Sequence, residues 1–152
     1  MKPLTHLIFG SIFAFILLLL FPAIKLIGFS IIVLSSVLID IDHYIYYVIK
    51  KRDLNLKNAY NWFVENEKKF RQLPLRKKRQ VCPPLCFLHN LEFLLIFAVL
   101  SFYSHIFLFI FTGFIFHLFL DSILAAYQGY GHDISAIYNQ IKSRRMKHVE
   151  EL

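Results

Sequence analysis

Two residue pairs bound the chemistry open to this chain: Asp40 with His43, three apart, and His117 with Asp121, four apart. On a helix either spacing puts both side chains on one face. Asp42 lies about 100° round the helix from His43, placed for a second metal or for orienting a ligand. Mixed imidazoles and carboxylates suit Zn²⁺ first, and Mn²⁺ or Fe²⁺ after it, rather than an all-oxygen calcium site. The expected ligands are His6, Asp40, Asp42, His43, His89, His117 and Asp121. A spare carboxylate, Asp42 or Glu92, would accept a proton from water.

The elements that must position these groups are apolar. Asp40, Asp42 and His43 sit inside "LSSVLIDIDHYIYYVI", and the 152 residues are 57% apolar and 17% aromatic. Such a composition points to the bilayer rather than to a soluble domain. Four runs approach the roughly 20 residues a spanning helix needs: about 4–24, 26–49, 85–103 and 106–126. The expected architecture is all-α, a single polytopic membrane domain over 1–152, with four transmembrane helices bundled together. A basic loop over 50–84 and a tail over 127–152 complete it. The first run resembles a signal peptide in its basic start and apolar middle, but "FPAIK" lacks the small residues of a cleavage site.

Between Lys50 and Gln80 lie eleven Lys and Arg against three acidic residues, and Lys142, Arg144, Arg145 and Lys147 follow in the tail. The positive-inside rule places both termini and the loop in the cytoplasm, in a multi-pass cytoplasmic (inner) membrane protein. Tyr60, Trp62, Phe63 and Phe70 punctuate the loop and predict an interfacial helix. The run "PLRKKRQ" fits topology and attraction to anionic headgroups. Nucleic acid is disfavoured, since no recognition module accompanies the charge.

This orientation brings His6, the Asp40–His43 stretch, His89, and His117 with Asp121 to one leaflet. A charged group at the bilayer centre costs about 2.5–3.5 kcal/mol, so it persists with a partner or a function. Taken singly, each has a plainer use: a helix-end hydrogen bond for His6, snorkelling lysine partners for the aspartates, an interhelical hydrogen bond for His117 and Asp121. Convergence favours a metal. Cys82 and Cys86 are two unpaired thiols with no matching metal pair, and His105 and His148 are ordinary polar residues. His132 and Asp133, in "GYGHDIS", follow the fourth run on the cluster's side.

"THLIFG", "LIDIDHYIY", "FLHNLEFLL" and "GFIFHLFLDSI", in this order, resemble the YdjM-like membrane-bound metal-dependent hydrolases. Thr5-His6, Asp40-x-Asp42-His43, His89 and His117-x-x-x-Asp121 match that pattern. That family is distantly similar to the all-helical fold of zinc-dependent phospholipase C and P1 nuclease. The resemblance implies hydrolysis, of a phosphoester in particular. One departure is Asn90, followed by Leu91, Glu92 and Phe93, where many members carry an Arg and then Ser or Thr. The alternatives are non-enzymatic: a metal that clamps the bundle, or a proton or ion pathway.

Overall fold

The computed structural model describes residues 3–78, 81–82, 88–127 and 147–148. Its helices are α1 (Pro3–Leu20), α2 (Lys25–Leu38), α3 (Ile41–Lys51), α4 (Leu56–Gln72), α5 (Leu75–Lys78), α6 (Leu91–Leu100) and α7 (His105–Tyr127). Two residue pairs, β1 (Val81–Cys82) and β2 (Lys147–His148), lie parallel. Pro22 ends the first apolar run: α1 stops at Leu20, and a 3₁₀ turn over Pro22–Ile24 leads into α2. Lys25 closes that turn at φ 55°, a conformation rare for a side chain with a Cβ.

Three described helical segments are long and apolar enough to cross a bilayer: Pro3–Leu20, Pro22–Lys51 and His105–Tyr127. The third expected span, over 85–103, is represented by α6, whose ten residues rise about 15 Å. That is half of a roughly 30 Å hydrocarbon core. Residues 83–87, which would extend it, lie outside the described residues, as do Cys86, His132, Asp133 and most of the tail.

Helix α2 packs against both α1 and α7. Bilayer helices gain little from burying apolar surface against each other, so close packing of small residues takes over. His6, Gly10 and Ala14 line the buried stripe of α1. Gly113, His117, Asp121 and Ala125 line that of α7, again four apart. A Cβ on Gly10 would overlap the Ser36 hydroxyl. One on Gly113 would overlap the Ser35 hydroxyl and come 2.6 Å from the Ile32 carbonyl oxygen. The stripes therefore draw α1 and α7 onto Ser35 and Ser36 of α2, and place His6, His117 and Asp121 at one level.

The second span is not one continuous helix. It breaks at Ile39 and Asp40, where no Pro or Gly marks the sequence. The Asp40 N–H donates to the Val37 carbonyl at 3.2 Å, a tighter turn than the α-helix. The Ser36 carbonyl, four residues back, accepts instead from His117 Nδ1 at 2.8 Å. After the break α3 turns polar on one face, with Asp42 and Tyr47 buried. Arg52 caps it in the left-handed conformation. Asn55 then caps α4, accepting from the Lys57 and Asn58 N–H groups.

Candidate metal centre

The cluster gathers around His89 and His117. His117 is fully buried, and the Ser36 carbonyl, which can only accept, fixes the proton on Nδ1. His89 Nδ1 donates to Asp42 Oδ2 at 3.0 Å, and the Leu88 N–H donates to the same oxygen at 2.9 Å. Both rings thus turn their Nε2 atoms inward, where they meet at 2.9 Å. Carboxylates flank the pair. Asp121 Oδ2 is 3.2 Å from His117 Nε2 and 3.9 Å from His89 Nε2. Asp40 Oδ1 is 3.4 Å from His89 Nε2 and 3.6 Å from His117 Nε2.

His6 completes the buried side. Its ring stacks on His117 with centroids 3.8 Å apart, and its Nε2 is 3.3 Å from Asp121 Oδ1. Neither ring nitrogen of His6 makes a hydrogen bond, nor does Asp40 Oδ2, although all three are buried. On the opposite side, His43 Nδ1 donates to Asp42 Oδ1 at 2.9 Å, and its ring lies between His89 and Phe63 of α4.

Inward lone pairs, flanking carboxylates and orphaned buried acceptors make a site that a cation would satisfy. Three overlapping groups place their ligand atoms close enough to hold one: His6 with Asp40 and His117; Asp40 with His43 and His89; and His89 with His117 and Asp121. A tetrahedral ion bound at zinc-like bond lengths separates its ligand atoms by about 3.3 Å, within the span of the distances above. The residues present could hold a metal ion.

Every residue named from sequence as a ligand lies in or against this cluster. Asp42 belongs to none of the three groups; its oxygens accept from His43, His89 and the Leu88 N–H. Glu92, half-buried in the first turn of α6, also lies outside them. Sequence reasoning missed Ser36, whose carbonyl sets the His117 tautomer. Its signal is positional: a serine four residues before Asp40 in an apolar helix. It also missed that Phe63 of the amphipathic segment covers His43.

Apolar helices long enough to span, with buried His and Asp grouped at one level, define a membrane protein with a metal-capable polar cluster. The family model of the YdjM inner membrane protein matches residues 1–133, and the chain belongs to that family. No curated protein and no solved structure matches it.

Proposed function

We propose that the chain is a metal-dependent hydrolase of the inner membrane, acting on phosphoesters, with one or more zinc ions (or Mn²⁺ or Fe²⁺) held by His6, Asp40, His43, His89, His117 and Asp121. The observation that carries this reading is the inward pair of Nε2 atoms, 2.9 Å apart and flanked by Asp40 and Asp121. With both Nδ1 protons committed outward, the two Nε2 lone pairs face each other beside the Asp40 and Asp121 carboxylates.

Asp42 orients His43 and His89 by accepting from both, the carboxylate–imidazole arrangement that fixes tautomer and raises ligand basicity. Through His43 it also offers a route for the proton lost by water, and Glu92 is the other candidate acceptor. A bound metal would bring the pKa of water down toward about 7 and polarise a phosphoryl oxygen. Four spans, as the sequence predicts, put both termini and the basic segment on the cytoplasmic side. That segment, with Lys57, Lys68 and Lys69 exposed on α4, attracts anionic headgroups.

A second reading is supported by the same 2.9 Å separation, which also suits a proton shared between His89 and His117. The cluster would then handle protons or clamp the bundle without catalysis. Metal content of the purified protein, after metal addition and removal of excess, separates the two. Stoichiometric transition metal, lost in a folded His117→Ala/Asp121→Ala double variant, is the expected result. No retained metal in the parent would sink the hydrolase and leave the shared proton.

A further inference from the structure

Helix α3 presents two unlike faces. Ile41, Ile45 and Ile49, four apart, are exposed apolar side chains on one of them. His43, Tyr46, Tyr47 and Lys50 follow one another along the other, at three- and four-residue steps. His6 and His117 have no exposed surface, and the side chains of His89, Asp40 and Asp121 keep about a tenth of theirs or less, whereas the His43 side chain is 37% exposed. Among the described ligands the cluster is therefore most open at His43. The surface that continues from that ring along α3 is polar, and it runs toward the end of the span at Lys51.

Two cations are held along that surface. Lys50 Nζ donates to Tyr46 Oη at 3.3 Å and lies 5.5 Å from the centre of the Tyr46 ring. Lys51 Nζ lies 5.7 Å from the centre of the Trp62 ring of α4, within reach of its π face. Tyr46 and Trp62 are neighbours, with centroids 6.2 Å apart. Trp62 in turn packs edge-on against Phe63 at 4.7 Å, and Phe63 stacks on His43 at 5.2 Å. A run of touching rings thus joins both ammonium groups to the partly open imidazole. Helical side chains lean toward the preceding turn, so Tyr46 leans toward His43, and Lys50 is bonded back onto Tyr46. The acidic residue nearest them in sequence, Asp53, has its carboxylate occupied by Tyr47, Asn58 and the Asn55 N–H.

We propose that this rim selects a doubly charged phosphate from water: the substrate is a soluble phosphomonoester, drawn in by Lys50 and Lys51 along the polar face of α3 to His43. This rests on the hydrolase reading. A phosphate ester with one organic substituent carries about 1.5 to 2 negative charges at neutral pH. A diester carries a single charge, so two ammonium groups fixed on one rim discriminate between the classes. In the reaction the oxygen of water bonds to phosphorus and the phosphorus–oxygen bond to the alcohol breaks. One proton of water goes to that alcohol and the other stays on the phosphate released.

The test uses the full chain in phosphatidylcholine nanodiscs, with Trp62, the one tryptophan of the sequence, as reporter. At constant ionic strength methyl phosphate, the dianion, should change Trp62 emission saturably. Its half-saturation should lie at least about tenfold below that of dimethyl phosphate, the monoanion. Lys50→Gln leaves Lys51 beside Trp62 and should raise the half-saturation for methyl phosphate at least about fivefold. Lys57→Gln, which removes an exposed cation of α4, should change it less than about twofold. An unchanged melting temperature shows that each variant is folded. Equal half-saturation for the two phosphates, or equal losses in the two variants, would mean that only the general positive field is felt, and would overturn the proposal. Phosphate release from methyl phosphate gives the second arm: Lys50→Gln should raise KM at least about fivefold and hold kcat within about twofold. Metal-dependent release without preference for the dianion would remove the rim and leave the hydrolase. Preference for the dianion in protein that retains no metal would uphold the anion rim and remove the hydrolase.

Discussion

On the α1–α7 side of the cluster, His6 and His117 are fully buried and stacked, and glycine stripes press their helices onto α2. On the α3–α4 side, His43 is partly open, its ring between His89 and Phe63 of α4, and α4 leans on α3 through Phe63, Trp62 and the Asn58–Asp53 hydrogen bond. The first side has no slack: every group there is either satisfied by a neighbour or waiting for a cation. The second can yield without disturbing the bundle. Under the proposed function, a bound ion would therefore be gripped chiefly from the first wall, and the second would be the one able to move.

The sharpest way to break this contrast is to remove one imidazole from each wall. His117→Ala deletes a proposed ligand and also strands the buried Ser36 carbonyl, a loss of about 1–3 kcal/mol. Metal content should fall at least tenfold, and the metal-free variant should still melt lower than the metal-free parent. His43→Ala should stay within about 1 kcal/mol of the parent and lower turnover instead. Equal losses of thermal stability in the two variants would erase the distinction between the walls.

Glycine substitutions sharpen the contrast at the next scale. Gly113→Ala would drive a methyl into the Ser35 hydroxyl and the Ile32 carbonyl, the latter backbone that cannot swing away. Overpacking of this kind costs about 1–3 kcal/mol. Gly28→Ala meets only Ile24 and Phe109 side chains, which can turn aside. The melting temperature in detergent should therefore drop more for Gly113→Ala. The reverse order would place the tight contact away from the cluster.

The smallest effect belongs to the outer wall. Hydrogen bonds from Tyr47, Asn58 and the Asn55 N–H hold the Asp53 carboxyl below its ordinary value of 3.8. A depressed carboxyl contributes its stabilisation above that ordinary value and loses it as pH falls through the lowered one. Trp62 emission should be constant from neutral pH down to about 5 and shift red only in stronger acid. Asp53→Asn should flatten that acid transition, leaving metal content unchanged.

Much of this was legible in the sequence. Charge asymmetry and apolar run length were enough to bring His6, Asp40, His43, His89, His117 and Asp121 to one level, because helix periodicity and bilayer thickness are both stiff rulers. What was hidden depends on contacts between distant residues. Nothing local breaks the second span at Ile39–Asp40; the break coincides with a hydrogen bond from His117, 81 residues beyond Ser36. Asp42 reads as another acidic ligand until its oxygens are seen to accept from two rings and an amide.

The interruption at Asp40 also sets an order of assembly. Ribosomes deliver α2 and α3 long before His117 has been made, so in the growing chain the Ser36 carbonyl has no imidazole to receive. The nascent second span is free to close its own ladder and enter the bilayer straight. Only when α7 inserts beside it does the bend gain its partner, and the cluster matures last, as the closing act of biogenesis. A chain stalled before residue 117 would therefore hold His6, Asp40, Asp42, His43 and His89 without the imidazole that joins them.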